Sequence, residues 1–171
     1  MSDATIIPLD AIDPAMVEDL LDRAFEPERR QRTAYKLRDR VEWLPTLSFA
    51  ALDAEQHLVG TIQCWPAALT DPAGRRHPLI LFGPVAVLPE VQGMGYGKAL
   101  MTAAIAALSP KAQLPQVMIG DGEYYGRFFG FSADYTGGWT LPGPWDPARL
   151  LARGASPAVL PKEGMLGPWR N

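Results

Sequence analysis

The chain has 171 residues, of which 47% are hydrophobic and 20% are charged. This length and composition are typical of a single globular domain, here residues 1–171, and they exclude a disordered or fibrous chain. The formal net charge of −3 gives no general attraction to nucleic acid or to an anionic membrane, so neither is an expected partner. The basic residues Arg29, Arg30 and Arg32 lie among acidic ones and are predicted to form a solvated helix face.

The sequence favours a cytoplasmic location. Cys64 is the only cysteine, so an internal disulfide cannot form and a cysteine-rich zinc site is not expected. Residues 1–10 do not have the basic and long apolar regions of a signal peptide, and no apolar run reaches the roughly 18 residues that span a bilayer. We therefore expect a cytoplasmic protein without membrane contact.

Two helices are predicted ahead of most of the strands. Asp13 and Pro14 are typical of a helix start, and apolar residues then recur at helical spacing as far as Phe25. A second helical pattern follows Pro27 and ends at Pro45. The apolar face of this second pattern consists of Ala34, Leu37, Val41 and Leu44.

Three strands are predicted next. Residues 47–52 and 58–65 flank a polar turn and favour an antiparallel hairpin, and a second turn follows at 70–74. Residues 79–87 are apolar on both faces, which is typical of a central strand. Because Pro84 cannot donate a hydrogen bond to a sheet, we expect this strand to bulge or part from its neighbour at Gly83 and Pro84.

The strongest helical pattern covers residues 95–108, with one apolar face that is expected to pack on the sheet. A short strand at 116–119 and a short helix at 123–128 follow, and glycine and proline interrupt the rest. The order α-α-β-β-β-α-β-α-β predicts an α/β (α+β) fold, a mixed sheet with helices on its faces.

Residues 85–100 combine a buried strand, a loop with alternating glycines and an amphipathic helix. Free N–H groups at a helix start attract anions, and Gly93, Gly95 and Gly97 let phosphate oxygens approach the main chain. Residues 98–100 do not complete the dinucleotide-binding pattern that starts at Gly95. A P-loop needs glycine and a hydroxyl residue where this chain has Gln92 and Ala99.

Three segments resemble the GNAT superfamily of N-acetyltransferases. The loop Gln92-Gly93-Met94-Gly95-Tyr96-Gly97 matches the family's coenzyme A loop, which is Arg or Gln, two residues, Gly, one residue, Gly or Ala. The preceding Phe82-Gly83-Pro84-Val85-Ala86-Val87-Leu88-Pro89 is similar to the strand before that loop. Residues 120–131 are similar to a Gly-Asp-x-x-Tyr-Tyr-x-Arg-Phe-Gly-Phe segment of one largely uncharacterised branch, except that Phe128-Phe129 adds one phenylalanine.

The resemblance implies the GNAT acyltransferase fold, a mostly antiparallel sheet splayed at its central strand with helices on both faces. It also implies an N-acetyltransferase that moves an acetyl group from acetyl-CoA to a primary amine of a small molecule or peptide by direct transfer. The alternative is a non-catalytic sensor or interaction module that binds acyl-CoA. No metal is implied, a homodimer is a possible assembly, and the acceptor stays open because one scaffold serves many acceptors.

Site residues follow from the same resemblance. The predicted cofactor-binding residues are Val85, Ala86, Val87, Gln92, Gly93, Met94, Gly95, Tyr96, Gly97, Lys98 and Asp121. Among these, the backbone N–H groups of Val85 and Val87 are expected to hydrogen-bond the thioester carbonyl. Tyr125 is the predicted acid for the leaving thiolate, and Tyr124 is the second candidate because the extra phenylalanine shifts the alignment. Glu90 is a candidate general base, with a solvated loop carboxylate as the alternative.

Other reactive or aromatic residues are predicted to be structural. Cys64 lies in an apolar strand and is expected to be a core residue. His57 and His77 are expected at the surface. The five tryptophans could line an acceptor pocket or fix irregular loops to the core, and the sequence leaves both roles open.

Overall fold

The computed structural model describes residues 4–25, 27–109, 114–154 and 159–170. The strands in these ranges are β1 (Thr5–Pro8), β2 (Phe49–Leu52), β3 (Leu58–Thr70), β4 (Arg76–Val87), β5 (Gln116–Ile119), β6 (Gly138–Thr140), β7 (Leu150–Arg153) and β8 (Glu163–Pro168). The α-helices are α1 (Pro14–Ala24), α2 (Thr33–Lys36), α3 (Tyr96–Ala106) and α4 (Gly122–Phe129). Short 3-10 turns occur at Leu9–Ala11, Pro27–Gln31, Pro45–Leu47, Pro89–Val91 and Pro147–Arg149.

The strands form one mixed and mostly antiparallel sheet. Its order is β1-β2-β3-β4-β5-β7, and β8 pairs with both β3 and β6. The pairs β4–β5 and β6–β8 are parallel, whereas β1–β2, β2–β3, β3–β8 and β5–β7 are antiparallel. The predicted α+β class is therefore confirmed.

The chain divides into two compact units, and a single domain stays a prediction. One unit lies within residues 1–29, 43–64 and 83–110, and the other within residues 30–42, 65–82 and 111–171. In the first unit α3 packs on β1 and β2. Its core includes Leu20, Leu21, Ile62, Leu100 and Met101, and the core of the second unit includes Leu69, Phe82, Val117, Phe131 and Trp139.

The first predicted helix is confirmed, and the second is wrong over most of its length. In α1 the Asp13 carboxylate accepts a hydrogen bond from the N–H of Ala15 at 2.9 Å, as expected for a helix cap. The second pattern forms only the four-residue α2. Arg40 adopts a positive φ of 58°, which ends helical geometry. The N–H of Leu44 bonds to the carbonyl of Cys64 at 2.7 Å, so this backbone pairs with β3 and not with a helical turn.

The predicted solvated helix face is also wrong for Arg29. Its side chain is only 2% exposed and its guanidinium contacts two carboxylates of α1. Nε donates to Asp22 Oδ1 at 3.0 Å, and a terminal nitrogen donates to Glu18 Oε1 at 3.1 Å. Two carboxylates one helical turn apart therefore compensate the charge of this buried cation.

The strand expectations are met, and both long strands extend beyond their predicted ends. The turn between β2 and β3 is closed by the N–H of Asp53 on the carbonyl of His57 at 2.9 Å. The pairs that join β4 to β5 are Ile80–Gln116 and Leu81–Val117. They end just before Gly83, although β4 continues to Val87. The central strand therefore parts from its parallel neighbour where the sequence predicts it.

Candidate functional site

The loop between β4 and α3 needs glycine at two positions. The N–H of Leu88 bonds to the carbonyl of Val59 at 2.9 Å and ties the end of β4 to β3. After the 3-10 turn at Pro89–Val91, Gly93 has a φ of 85° and Gly95 a φ of 93°. Residues with a Cβ rarely adopt these left-handed values. The backbone path itself therefore explains both glycines.

The same loop presents hydrogen-bond donors that have no acceptor. Gly95 is the N-cap of α3, and the first helical bond is from the N–H of Ala99 to its carbonyl at 3.0 Å. The N–H groups of Gly93, Gly95, Tyr96 and Gly97 donate to no acceptor within the described ranges. Unpaired donors at the positive end of a helix dipole form an anion-binding site.

A groove of about 880 Å³ begins at this loop and follows α3. Its lining consists of Gly93, Met94, Gly95, Lys98, Ala99, Thr102, Ala103 and Ala106. The small glycine and alanine residues leave space for a ligand, and Lys98 supplies a positive charge near the helix start. The groove is large enough for a ligand of the size of a nucleotide cofactor.

Gly97 lies where α3 crosses β4. A Cβ at this position would lie 3.7 Å from Cγ2 of Val87 and 4.0 Å from Cγ1 of Val85, both ordinary van der Waals distances. Alanine would therefore fit, in agreement with the Gly-or-Ala position of the coenzyme A loop pattern. The contact holds the first turn of α3 directly over the end of β4.

The edge of β4 that faces away from β3 carries the two predicted carbonyl ligands. Because Leu88 bonds to β3, the alternation along a strand turns the polar groups of Val87 and Val85 to the opposite edge. The Val87 carbonyl accepts from Gln92 Nε2 at 3.4 Å, which agrees with that direction. The backbone of Ala86, by contrast, faces β3, since its carbonyl oxygen lies beside Gly60. The N–H groups at this open edge can each donate to a carbonyl oxygen of a ligand.

The two candidate tyrosines lie on α4 in the second unit. The Tyr125 ring packs over Gly120, where a Cβ would lie 2.7 Å from Cε2 of the tyrosine. Edge-on contacts with Tyr124 at 5.0 Å and Phe131 at 6.4 Å fix the ring further. Its hydroxyl has no hydrogen-bond partner in the part of the chain that the structure describes. Burial raises the pKa of Tyr125, which keeps the hydroxyl protonated at neutral pH.

The remaining predicted residues have visible structural roles. Tyr124 is 36% exposed and is less enclosed than Tyr125. Asp121 caps α4, because its carboxylate accepts from the N–H of Glu123 at 3.0 Å. Glu90 is exposed and forms an ion pair with Arg23 at 3.4 Å. Their predicted cofactor or catalytic roles stay predictions.

The structure groups the predicted site residues into two sets. Loop residues 92–98 and the open edge of β4 lie together in the first unit. The second unit contains Asp121, Tyr124 and Tyr125.

Two of the tryptophans make structural contacts. Trp139 is 2% exposed and its indole N–H donates to the carbonyl of Pro161 at 3.0 Å. The Arg76 guanidinium stacks over Trp169 at 4.4 Å. Cys64 is buried, which raises the pKa of its thiol and makes it a poor nucleophile.

The described ranges contain no group of three His, Cys, Asp or Glu side chains that could hold a metal ion. Each helix in those ranges is too short or too polar to span a membrane.

Comparison with known proteins gives the same fold and a family. The chain is similar to the GNAT family N-acetyltransferase YhbS from Escherichia coli, solved in complex with CoA, at 24% identity and a TM-score of 0.72 over 99% of this chain and 91% of that chain. It is also similar to a GNAT family acetyltransferase from Brucella melitensis, solved with acetyl-CoA, at 24% identity and a TM-score of 0.63 over 98% and 96% of the two chains.

These likenesses confirm the predicted fold. A comparison with curated proteins gave no match. The sequence model of the acetyltransferase (GNAT) family matches residues 15–131, which is more than half of the chain. The chain therefore belongs to the acetyltransferase (GNAT) family.

Proposed function

We propose that the protein binds acetyl-CoA and transfers its acetyl group directly to a primary amine of a small molecule or peptide. One observation carries this proposal: unpaired N–H groups at the start of α3 lie next to the open edge of β4. The N–H groups at the start of α3 can hold phosphate, and the open edge of β4 can hold a thioester carbonyl. Both solved proteins described above contain CoA or acetyl-CoA, which supports the same co-substrate here.

In this proposal, residues 92–98 bind the pyrophosphate. The N–H groups of Gly93, Gly95 and Gly97 donate to its oxygens, and the Lys98 ammonium adds charge. The pantetheine arm then follows the open edge of β4. There the N–H group of Val85 or of Val87 hydrogen-bonds the thioester carbonyl and stabilises the negative charge that develops on its oxygen.

The transfer requires a neutral amine and a protonated leaving group. The amine nitrogen attacks the carbonyl carbon, a C–N bond forms and the C–S bond breaks. The amine loses its proton to a base, for which we propose Glu90 or a bound water. Tyr125 donates its hydroxyl proton to the departing sulfur, so the products are an N-acetyl amide and free CoA thiol. Tyr125 is reprotonated from solvent.

Acetyl-CoA binding and turnover test the function separately. Saturating acetyl-CoA is expected to raise the melting temperature, because a ligand that binds only the folded state stabilises it. Thiol release across a panel of amines then reports catalysis. A flat calorimetric titration with an unmoved melting temperature would exclude the whole proposal. Binding without thiol release for any amine would favour the non-catalytic acyl-CoA-binding module.

Tyr125→Phe tests the proposed acid. Removal of the hydroxyl is expected to lower kcat roughly 100-fold with little change in acetyl-CoA affinity, since the contact strengthens only as charge develops on sulfur. Tyr124→Phe is the matched control and is expected to be nearly normal. A defect in Tyr124→Phe alone would mean that the alignment is off by one residue. Full activity in both variants and in the double variant would exclude a tyrosine acid.

The cytoplasmic location, the homodimer and a cofactor contact by Asp121 stay predictions from the sequence.

A further inference from the structure

Two polar side chains of β3 are buried and make no hydrogen bond to the part of the chain that the structure describes. Thr61 is 0% exposed, and its hydroxyl oxygen has no partner among the described residues. Gln63 is 6% exposed and its amide makes no hydrogen bond within the described residues, but unlike the Thr61 hydroxyl its amide atoms are not fully enclosed. Buried polar groups in folded proteins almost always have a partner, so the Thr61 hydroxyl calls for a bound water, and the Gln63 amide is open to a ligand.

Both side chains lie on the face of the sheet opposite α3. A Cβ at Gly60 would lie 3.1 Å from Cδ1 of Leu100, so residue 60 faces that helix. Because successive side chains alternate, Thr61 and Gln63 face the other way. The neighbour of Thr61 in β2 is Ala50, whose methyl group offers no hydrogen bond.

Gln63 lies at the level of the proposed carbonyl site. The bond between Leu88 and Val59 links the two antiparallel strands. Gln63 lies four residues beyond Val59 and Pro84 lies four residues before Leu88, so Gln63 and Pro84 are at the same level. The next residue of β4 is Val85, whose N–H is one of the two proposed ligands of the thioester carbonyl.

The acceptor amine must approach that carbonyl from a direction that the cofactor does not occupy. The proposed cofactor groove begins at the start of α3 and follows that helix. The face opposite α3 is therefore the direction that remains for the acceptor. On the face opposite α3, Gln63 is the polar side chain of β3 that lies at the level of Pro84 and Val85.

We propose that Gln63 binds a neutral polar group of the acceptor, such as an amide or hydroxyl near its amine. The inference rests on the proposed function. The Gln63 amide can accept and donate at once, and it has no charge, which suits an uncharged group. Thr61 is a positioning residue that holds an ordered water behind Gln63. Sequence reasoning does not find this pair, because threonine and glutamine are ordinary strand residues.

The test uses the CoA-loaded protein and two probe amines, glycinamide and n-propylamine. Glycinamide is expected to bind about 10-fold more tightly, the scale of one hydrogen bond to a buried amide, and to shift the side-chain amide signals of Gln63 in NMR spectra. Gln63→Met, or Gln63→Leu if the first variant folds poorly, should weaken glycinamide binding about 10-fold and leave the affinities for n-propylamine and acetyl-CoA unchanged.

Thr61→Val tests the proposed positioning role of Thr61, because a purely structural residue would not affect glycinamide binding. It removes the hydroxyl that is proposed to hold the water, so it is expected to weaken glycinamide binding several-fold. Thr61→Ser keeps the hydroxyl and should retain glycinamide affinity.

Equal affinity for the two amines, or unmoved Gln63 signals, would overturn the inference. Variants of Gln63 and Thr61 that fold normally and keep the wild-type affinity for both amines would also overturn it, since neither side chain would then contribute to acceptor binding. Wild-type protein that does not bind acetyl-CoA would instead refute the proposed function, and this inference with it.

Discussion

Gly95 allows backbone strain and charge to be separated in one pair of variants. It is the N-cap of α3 and has a φ of 93°. A residue with a Cβ is destabilised there by about 1–2 kcal/mol. Gly95→Ala and Gly95→Glu should therefore lose the same free energy of unfolding. Only the glutamate adds a negative charge where the pyrophosphate is proposed to bind.

The size of the charge effect follows from the exposure of the loop. Two unit charges 4 Å apart repel by about 1 kcal/mol in water and by about 4 kcal/mol at an effective dielectric constant of about 20. Gly95 is exposed, so a value near the middle of this range, about 2 kcal/mol, applies. Gly95→Glu should then bind CoA roughly 30-fold more weakly than Gly95→Ala.

Calorimetric titration of both variants with CoA, at low and at high salt, measures this ratio. Salt screens the repulsion between exposed charges, so the ratio should shrink at high ionic strength. Circular dichroism checks that both variants are folded. Equal CoA affinities of two folded variants at low salt would refute the reasoning, because the phosphates would then bind elsewhere. A ratio that does not change with salt would indicate a steric effect.

Three further variants and one labelling reaction test the packing. Gly60→Ala should lower the free energy of unfolding by about 1–3 kcal/mol, because its Cβ would lie 3.0 Å from the carbonyl oxygen of Ala86. Gly97→Ala, at the same helix–strand contact, should change the free energy of unfolding by less than about 1 kcal/mol. Urea unfolding measures both variants, and equal losses of stability would contradict the contact geometry. Arg29→Ala should cost about 2 kcal/mol in the same assay, because it removes a buried side chain and its charge-assisted hydrogen bonds to Asp22 and Glu18. An unchanged midpoint would show that the cluster is not stabilising. Cys64 should react with iodoacetamide only when urea unfolds the protein, because burial raises the pKa of its thiol; fast labelling of the native protein would contradict its burial.

Sequence patterns predicted the elements whose signals are local. The cap at Asp13 and the helical spacing after it define α1. The hairpin turns at residues 53–57 and 70–74 were likewise found, because turn chemistry depends on neighbouring residues. The glycine loop and the helix after it gave the candidate anion site for the same reason. The break near Gly83 was also predicted, since proline cannot take part in a sheet ladder.

The elements that the sequence missed or left without bounds depend on distant partners: the predicted order lacks β1, and it has one strand after α4 where the structure has three. β1 and the three C-terminal strands are only three to six residues long, and three of them contain glycine or proline. Their backbone groups are satisfied by pairing with remote strands, such as β8 with β3. The predicted second helix failed for the same reason, because Leu44 bonds to β3.

Among the site residues, the sequence determined which groups can do chemistry, and the tertiary structure decided their surroundings. The loop pattern identified residues 92–97 because a helix start and its glycines are contiguous. The direction of the Val85 and Val87 amides depends on which strand edge pairs with β3, and the burial of Thr61 and Gln63 depends on what covers the sheet. These properties arise only when segments far apart in sequence pack together, since hydrogen-bond direction and burial are set by neighbours in space.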